Sequence, residues 1–191
     1  MTENTFPQTL AAARAGADWA WARLYGELAP ALLGYARGRG ASDAEDVIGE
    51  VFLQVVRDLD RFEGGESAFR GWVFAIAHHR LLDAQRRGAR RPVVLLADTD
   101  TGLATAPASE DETLARLAER EVRRVIEQLP SDQRDVVLLR VLGDLTVEQT
   151  AAVIGKSPGA VKALQRRGLE AVQRSITNEG ATVWAVVALN E

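Results

Sequence analysis

The chain has 191 residues, enough for one domain or two small ones, and its 47% hydrophobic and 26% charged residues exclude wholesale disorder. It has no cysteine, and its two histidines, His78 and His79, are adjacent, which excludes disulfides, thiol chemistry and a zinc site of the usual His/Cys type. The net charge of −4 argues weakly against a free-standing nucleic-acid binder, but it hides strong segregation along the chain.

Residues 41–66 carry −6 and residues 67–91 carry +5; residues 92–113 carry −5 and residues 156–174 carry +4. Two basic patches separated by acidic stretches suggest phosphate contact, although solvated helix faces would give the same pattern. Met1 to Ala17 holds no apolar run of signal-peptide length, and no stretch approaches the roughly 20 apolar residues that span a bilayer. A cytoplasmic protein with no membrane span of its own is expected.

Helical periodicity dominates and no period-2 pattern persists, so an all-α chain is expected. Residues 1–18 are left as an N-terminal segment. Trp21, Leu24, Leu28, Leu32 and Tyr35 form a stripe at helical spacing, broken by Gly38 and Gly40. Ser42-Asp-Ala-Glu45 reads as a capping box, in which a hydroxyl and a carboxylate satisfy two orphan N–H groups. The helix it opens places Val47, Ile48, Val51, Phe52, Val55 and Leu59 on one face. Asp43, Asp46 and Glu50 form an exposed stripe opposite. Three carboxylates suit a metal, acid–base work, plain solvation or a basic docking partner. Nothing supplies a nucleophile, a phosphate loop or convergent ligands, so no enzyme activity, metal or cofactor is expected.

After Gly64-Gly65, Phe69, Trp72, Val73, Ile76, Ala77 and Leu81 mark a helix that turns basic toward Arg86 and Arg87. Aromatics followed by arginines suit opened nucleic acid. Trp72 lies on the apolar stripe and reads as core, whereas Phe74 falls off it and is open between core and base contact. His79 and Asp83, four apart, share a face. Residues 92–111 lack periodicity, hold Pro92, Gly102 and Pro107, and read as an acidic flexible linker, with Val93–Leu96 a short apolar run inside it.

Ser109-Glu-Asp-Glu112 is a second capping-box pattern, and Leu114 to Leu129 a helix stopped by Pro130. Val136 to Arg140 belong to another that ends near Gly143. Thr146-Val-Glu-Gln149 is a third capping box, Gly155 fits a left-handed C-terminal cap, and Ser157-Pro158 starts a last helix toward Ile176. Helix, three-residue turn and basic helix make a helix-turn-helix. Val161, Leu164, Leu169 and Val172 are expected in the core. Lys162, Gln165, Arg166 and Arg167 are left for solvent or DNA. Residues 112–176 form this second domain. The tail, 177–191, is apolar from Ala181 to Leu189 and is expected to fold back on this domain or to bind an inhibitor. Halves this small have thin cores, so each is expected to rely on a partner.

The order of these parts resembles an extracytoplasmic-function (ECF) sigma factor, group IV of the primary-sigma superfamily. Asp43-Ala-Glu-Asp-Val-Ile-Gly-Glu-Val-Phe52, Leu59-Asp-Arg-Phe62, Phe69-Arg-Gly-Trp-Val-Phe-Ala-Ile-Ala77 and Leu81-Leu-Asp83 with Arg86-Arg87 resemble sigma region 2. Leu129-Pro-Ser-Asp-Gln-Arg134, Leu138-Leu-Arg140, Leu145-Thr-Val-Glu-Gln149 and Ser157-Pro-Gly-Ala-Val-Lys162 resemble region 4. The resemblance spans Trp19 to Ile176. It implies two small helical domains joined by a flexible linker: a region 2 bundle over 19–91 and a region 4 helix-turn-helix over 112–176.

The resemblance also implies the partners: bacterial core RNA polymerase, promoter DNA and an anti-sigma factor. By position, Asp43, Asp46, Glu50 and Gln54 would face polymerase. The loop Phe62, Glu63, Gly64, Gly65, Glu66 and Ser67 would receive a flipped base of the minus-ten element. His79 and Asp83 would read that element while Arg86 and Arg87 hold phosphates. Ser157, Gly159, Ala160, Lys162, Arg166 and Arg167 would address the minus-thirty-five element. The chain departs from the family in having His78-His79 for a common Arg-Asn and Ala163-Leu164-Gln165 for a common Ser-Arg-Leu. Gly168, mid-helix, is expected to mark close packing against the preceding helix. The alternatives are a sigma-like decoy that sequesters an anti-sigma factor, and a helix-turn-helix repressor acting without polymerase.

Overall fold

A computed structural model describes residues 5–88 and 122–178. The linker 92–111 with its Val93–Leu96 run, the Ser109–Glu112 cap, Leu114, Leu117 and the tail from residue 179 lie outside the described residues. Among the described residues every regular element is helical.

The first half begins with a helix that the sequence reading left as a plain segment. Helix α1, Phe6–Arg14, has Pro7 in its first turn and buries Phe6, Leu10 and Ala13. Helix α2, Asp18–Gly38, buries Leu24, Leu28, Leu32 and Tyr35 at 4% exposure or less, the stripe read from the sequence. Trp21 is half-buried and donates its indole N–H to the Ala13 carbonyl at 3.1 Å, fixing α1 on α2. The helix ends at Gly38, as the glycines suggested, and the chain turns through Gly40, whose φ of +80° a side chain would disfavour.

Helix α3, Ala44–Asp58, buries Ile48, Val51, Phe52 and Val55. The capping box expected at Ser42–Glu45 is absent. Asp43 is the cap residue and caps no N–H, the Ser42 hydroxyl donates to the Asp43 carboxylate, and Glu45 pairs with Arg37. A neighbouring cation and a neighbouring carboxylate thus outcompete the local caps. A 3-10 turn, Leu59–Arg61, leads through Gly64 (φ +144°) into helix α4, Glu66–Gly88. Phe6, Phe62, Phe69 and Trp72 pack together where α1, this turn and α4 meet. Phe62 is stacked on Trp72 at 5.1 Å and edge-on to Phe69 at 5.2 Å.

The second half is helix α5 (described over 122–128), α6 (Ser131–Val141), α7 (Val147–Ile154) and α8 (Pro158–Asn178). Gly168 of α8 lies against α6, not against α7 as the sequence suggested. A Cβ there would stand 2.7 Å from Val137 Cγ2. Leu169, expected in the core, is 44% exposed. Val136, Ala151 and Val161 form a small core inside the helix-turn-helix.

The halves do not sit apart. Ile126, Leu129, Val137, Leu138, Leu139, Leu145 and Val153 join the apolar core of the first half. Leu138 lies so close to Gly38 that a Cβ there would stand 2.9 Å from it, and Leu142 approaches Gly34 similarly at 3.1 Å. Burying Leu138 contributes about 2 kcal/mol, whereas Leu142 stays partly exposed. The thinness expected of each half is thereby offset by the other.

Candidate nucleic-acid interface

Three surfaces carry the residues singled out in the sequence. The first is the turn between α3 and α4 with the outer face of α4. Glu63, Gly64, Gly65 and Ser67 are exposed and Glu66 is half-buried. Phe62 differs from its neighbours, being 8% exposed with its ring in the aromatic cluster, so it supports the loop from below. Arg14 reinforces it from α1, donating to the Leu59 carbonyl at 3.3 Å and to the Phe62 carbonyl. Beside the loop lies an open groove of about 670 Å³, lined by Asp58, Arg61, Phe62, Glu63, Ala68 and Trp72. Arg61, Ala68 and Trp72 were not identified as site residues from sequence, because only the folded turn brings them to one hollow. Trp72 is therefore both a core-edge residue and a groove wall.

Further along α4, His79 is exposed and its Nδ1 donates to the Ala75 carbonyl at 2.8 Å, leaving Nε2 outward. Asp83 is also exposed and pairs with Arg86 at 3.4 Å. Arg87 donates to the Asp83 carbonyl. Phe74, left open by the sequence, is fully buried edge-on to Tyr35 at 5.8 Å, which removes it as a base-stacking group.

The second surface is the start of α8. The Thr146 hydroxyl accepts from the Gln149 N–H at 3.1 Å, and the Gln149 side chain accepts from the Thr146 N–H at 2.8 Å, forming the expected capping box. Gly155 ends α7 with φ +66°. The Ser157 hydroxyl then accepts from the Ala160 N–H at 3.2 Å, and Lys156 pairs with Asp132 at 2.8 Å. These caps fix where α8 begins. Ser157, Gly159, Lys162, Arg166 and Arg167 are exposed along its first three turns, and Ala160 is half-buried. Arg166 pairs with Glu170 at 3.1 Å. Gln165 accepts from Arg140 Nε at 3.2 Å, which ties its Oε1 to α6.

The third surface is the outer face of α3. Asp43, Asp46 and Glu50 are exposed there with Leu53, at 65%, and Val56, at 52%. Gln54 accepts two hydrogen bonds from Arg80 of α4, at 2.9 and 3.1 Å, and Glu50 pairs with the same guanidinium at 3.4 Å. Arg80 thus couples this acidic face to the helix that bears His79 and Asp83. Glu45 is held below the usual carboxylate range by its own backbone N–H and by Arg37.

Where the halves meet, Arg39 pairs with Asp135 out of solvent. Arg39 also donates to Gln85 at 3.1 Å. His78 Nδ1 lies 2.7 Å from the Tyr35 hydroxyl and 3.5 Å from the Arg39 guanidinium, which can only donate, so Nδ1 is the acceptor. Burial, then the charges of Arg39 and His79, push the His78 pKa down to about 4. Burial raises the Asp135 carboxyl above its ordinary value, and Arg39 only partly opposes it.

Among the described residues no His, Asp and Glu converge as metal ligands, and no helix is long and apolar enough to cross a membrane. Residues 24–91 match Sigma-70 region 2 and residues 119–172 match Sigma-70 region 4. The ECF RNA polymerase sigma factor ShbA of Streptomyces griseus is 34% identical over 133 residues, covering 65% of this chain and 67% of the relative. The RNA polymerase sigma factor CarQ of Myxococcus xanthus is 33% identical, covering 82% of this chain and 89% of the relative. In fold, the chain is similar to the sigma factor RpoE crystallised with the anti-sigma factor NepR from Bartonella quintana. The TM-score is 0.65 at 20% identity, over 82% of this chain and 96% of that one. Two sigma domains in order on one chain, whose described elements are all helical, with relatives of this identity across most of their length, place the protein in the family of ECF RNA polymerase sigma factors.

Proposed function

We propose that the chain binds core RNA polymerase through the acidic face of α3 and directs it to promoters with its two other surfaces. Asp43, Asp46, Glu50 and Gln54 meet polymerase. The loop from Glu63 to Ser67 guides a flipped base of the minus-ten element into the groove walled by Arg61, Ala68 and Trp72. His79 and Asp83 read neighbouring bases, while Arg86 and Arg87 hold phosphates. Residues 157–167 of α8 enter the major groove of the minus-thirty-five element, with Ser157, Gly159 and Ala160 permitting close approach and Lys162, Arg166 and Arg167 supplying contacts. The protein catalyses nothing itself, works in the cytoplasm, and is held in check by an anti-sigma factor.

The capped start of α8 carries this reading, because it presents a basic, small-residue first turn at a fixed angle to α7. Run-off transcription with core polymerase and promoter fragments from the host tests it. New start sites are expected only when the protein is added. Replacing Lys162, Arg166 and Arg167 with alanine should abolish dependence on the minus-thirty-five element. Duplex binding indifferent to polymerase would instead establish the repressor reading, and tight polymerase binding with no start sites the decoy reading.

A further inference from the structure

We propose, resting on the promoter function above, that His79 sets which base α4 accepts at the minus-ten element and that a second proton on its ring reverses the choice. His79 is exposed on the outer face of α4, and its Nδ1 stands 2.8 Å from the Ala75 carbonyl. A carbonyl only accepts, so Nδ1 carries the proton. In the neutral ring that leaves Nε2 bare, an outward acceptor. The Nδ1–H bond survives protonation of the ring, so His79 keeps its place while Nε2 changes from acceptor to donor.

Asp83 stands one turn further along the same face. An ionised aspartate only accepts, and its pairing with Arg86 at 3.4 Å engages one of its two oxygens. With His79 neutral, the face therefore presents two acceptors in succession. On the major-groove edge of a base pair, adenine and cytosine offer an amine that donates, whereas guanine and thymine offer only acceptors. The neutral face takes adenine or cytosine and sets lone pair against lone pair when it meets guanine or thymine. Once protonated, Nε2 donates, and His79 takes guanine or thymine instead.

The charged and titratable groups around the ring are few. On α4 they are His78, Arg80, Asp83 and Arg86. Glu50 of α3 pairs with Arg80, Arg39 of α2 stands behind His78 with Asp135 of α6 as its partner, and Glu148 is the one charged residue of α7. His78 is the chain's other histidine, and it holds the opposite tautomer, since its Nδ1 accepts from Tyr35 and Arg39. Burial above all pushes the His78 pKa down to about 4, so His78 stays neutral through most of the range, roughly pH 5 to 8, in which an ordinary histidine changes charge. A histidine response within that range therefore belongs to His79.

The test is run-off transcription from a promoter found by the screen above, with each minus-ten base pair varied through all four bases. Wild type, His79→Ala and His79→Asn are compared at pH about 8 and about 6, on either side of an ordinary histidine's titration. At one base pair the wild type should favour adenine or cytosine about five- to tenfold at the higher pH, and guanine or thymine at the lower. His79→Ala should flatten the preference at that base pair at both pH values. His79→Asn, which does not titrate, should hold a single preference at both. A wild-type preference unchanged by pH, or the same preference in His79→Ala, would overturn the assignment while leaving the sigma function intact. If the wild type gives no start site on any host fragment, the sigma function fails and the assignment falls with it.

Discussion

His78 occupies a position where the family commonly has an always-charged arginine, and the substitution changes what burial there costs. A histidine can shed its proton and sit neutral against Tyr35 and Arg39. Its pKa falls from 6.5 to about 4, so its contribution to folding is full above pH 6.5 and is lost as pH falls toward 4. Asp135 runs the other way, because a carboxyl raised by burial favours the fold at acid pH. Urea unfolding at stepped pH should show wild type losing stability relative to His78→Gln between pH 6.5 and 4, and an equal slope in both would refute this. Gly168 makes a second residue-scale case. Alanine would gain about 1 kcal/mol in helix propensity. Its Cβ would meet the stiff Val137 side chain at 2.7 Å, and overpacking costs about 1–3 kcal/mol. Gly168→Ala should therefore lower the melting temperature rather than raise it.

At the scale of the element, local chemistry was legible and distant chemistry was not. The Thr146 box, Gly155 and Ser157 all act as read, because each is satisfied within four residues. Thr146→Ala should cost about 1 kcal/mol in urea unfolding, with the loss showing first as faster amide exchange at the start of α7. The box at Ser42 failed because Arg37, eight residues before Glu45, took its carboxylate. Leu169 follows the helical period, yet the surface it would bury is already filled through Gly168 against α6. Helix α1 was missed because its apolar residues are few and its docking depends on the distant Trp21 and the Phe62–Phe69 cluster. Arg39 and Asp135 stand 96 residues apart, and no spacing rule links them.

For the whole molecule, charge decides what the chain does alone. With a net charge of −4, it should bind duplex promoter DNA weakly by itself. Adding core polymerase should tighten that binding by orders of magnitude, since holding one surface in place makes the second contact intramolecular. Fluorescence anisotropy on labelled promoter duplex measures both, and tight specific binding by the free protein would contradict the reading.

Arg14 has a consequence for timing. Its guanidinium holds the carbonyls of Leu59 and Phe62, at the base of the loop proposed to receive the minus-ten base. Arg14→Ala leaves the proposed polymerase face of α3 and the start of α8 untouched, so on that proposal recruitment to the promoter should proceed at its normal rate. Strand separation is the step in which the proposed loop acts, and it should slow. The signature is a longer lag before the first abortive transcripts, at unchanged polymerase occupancy of the promoter.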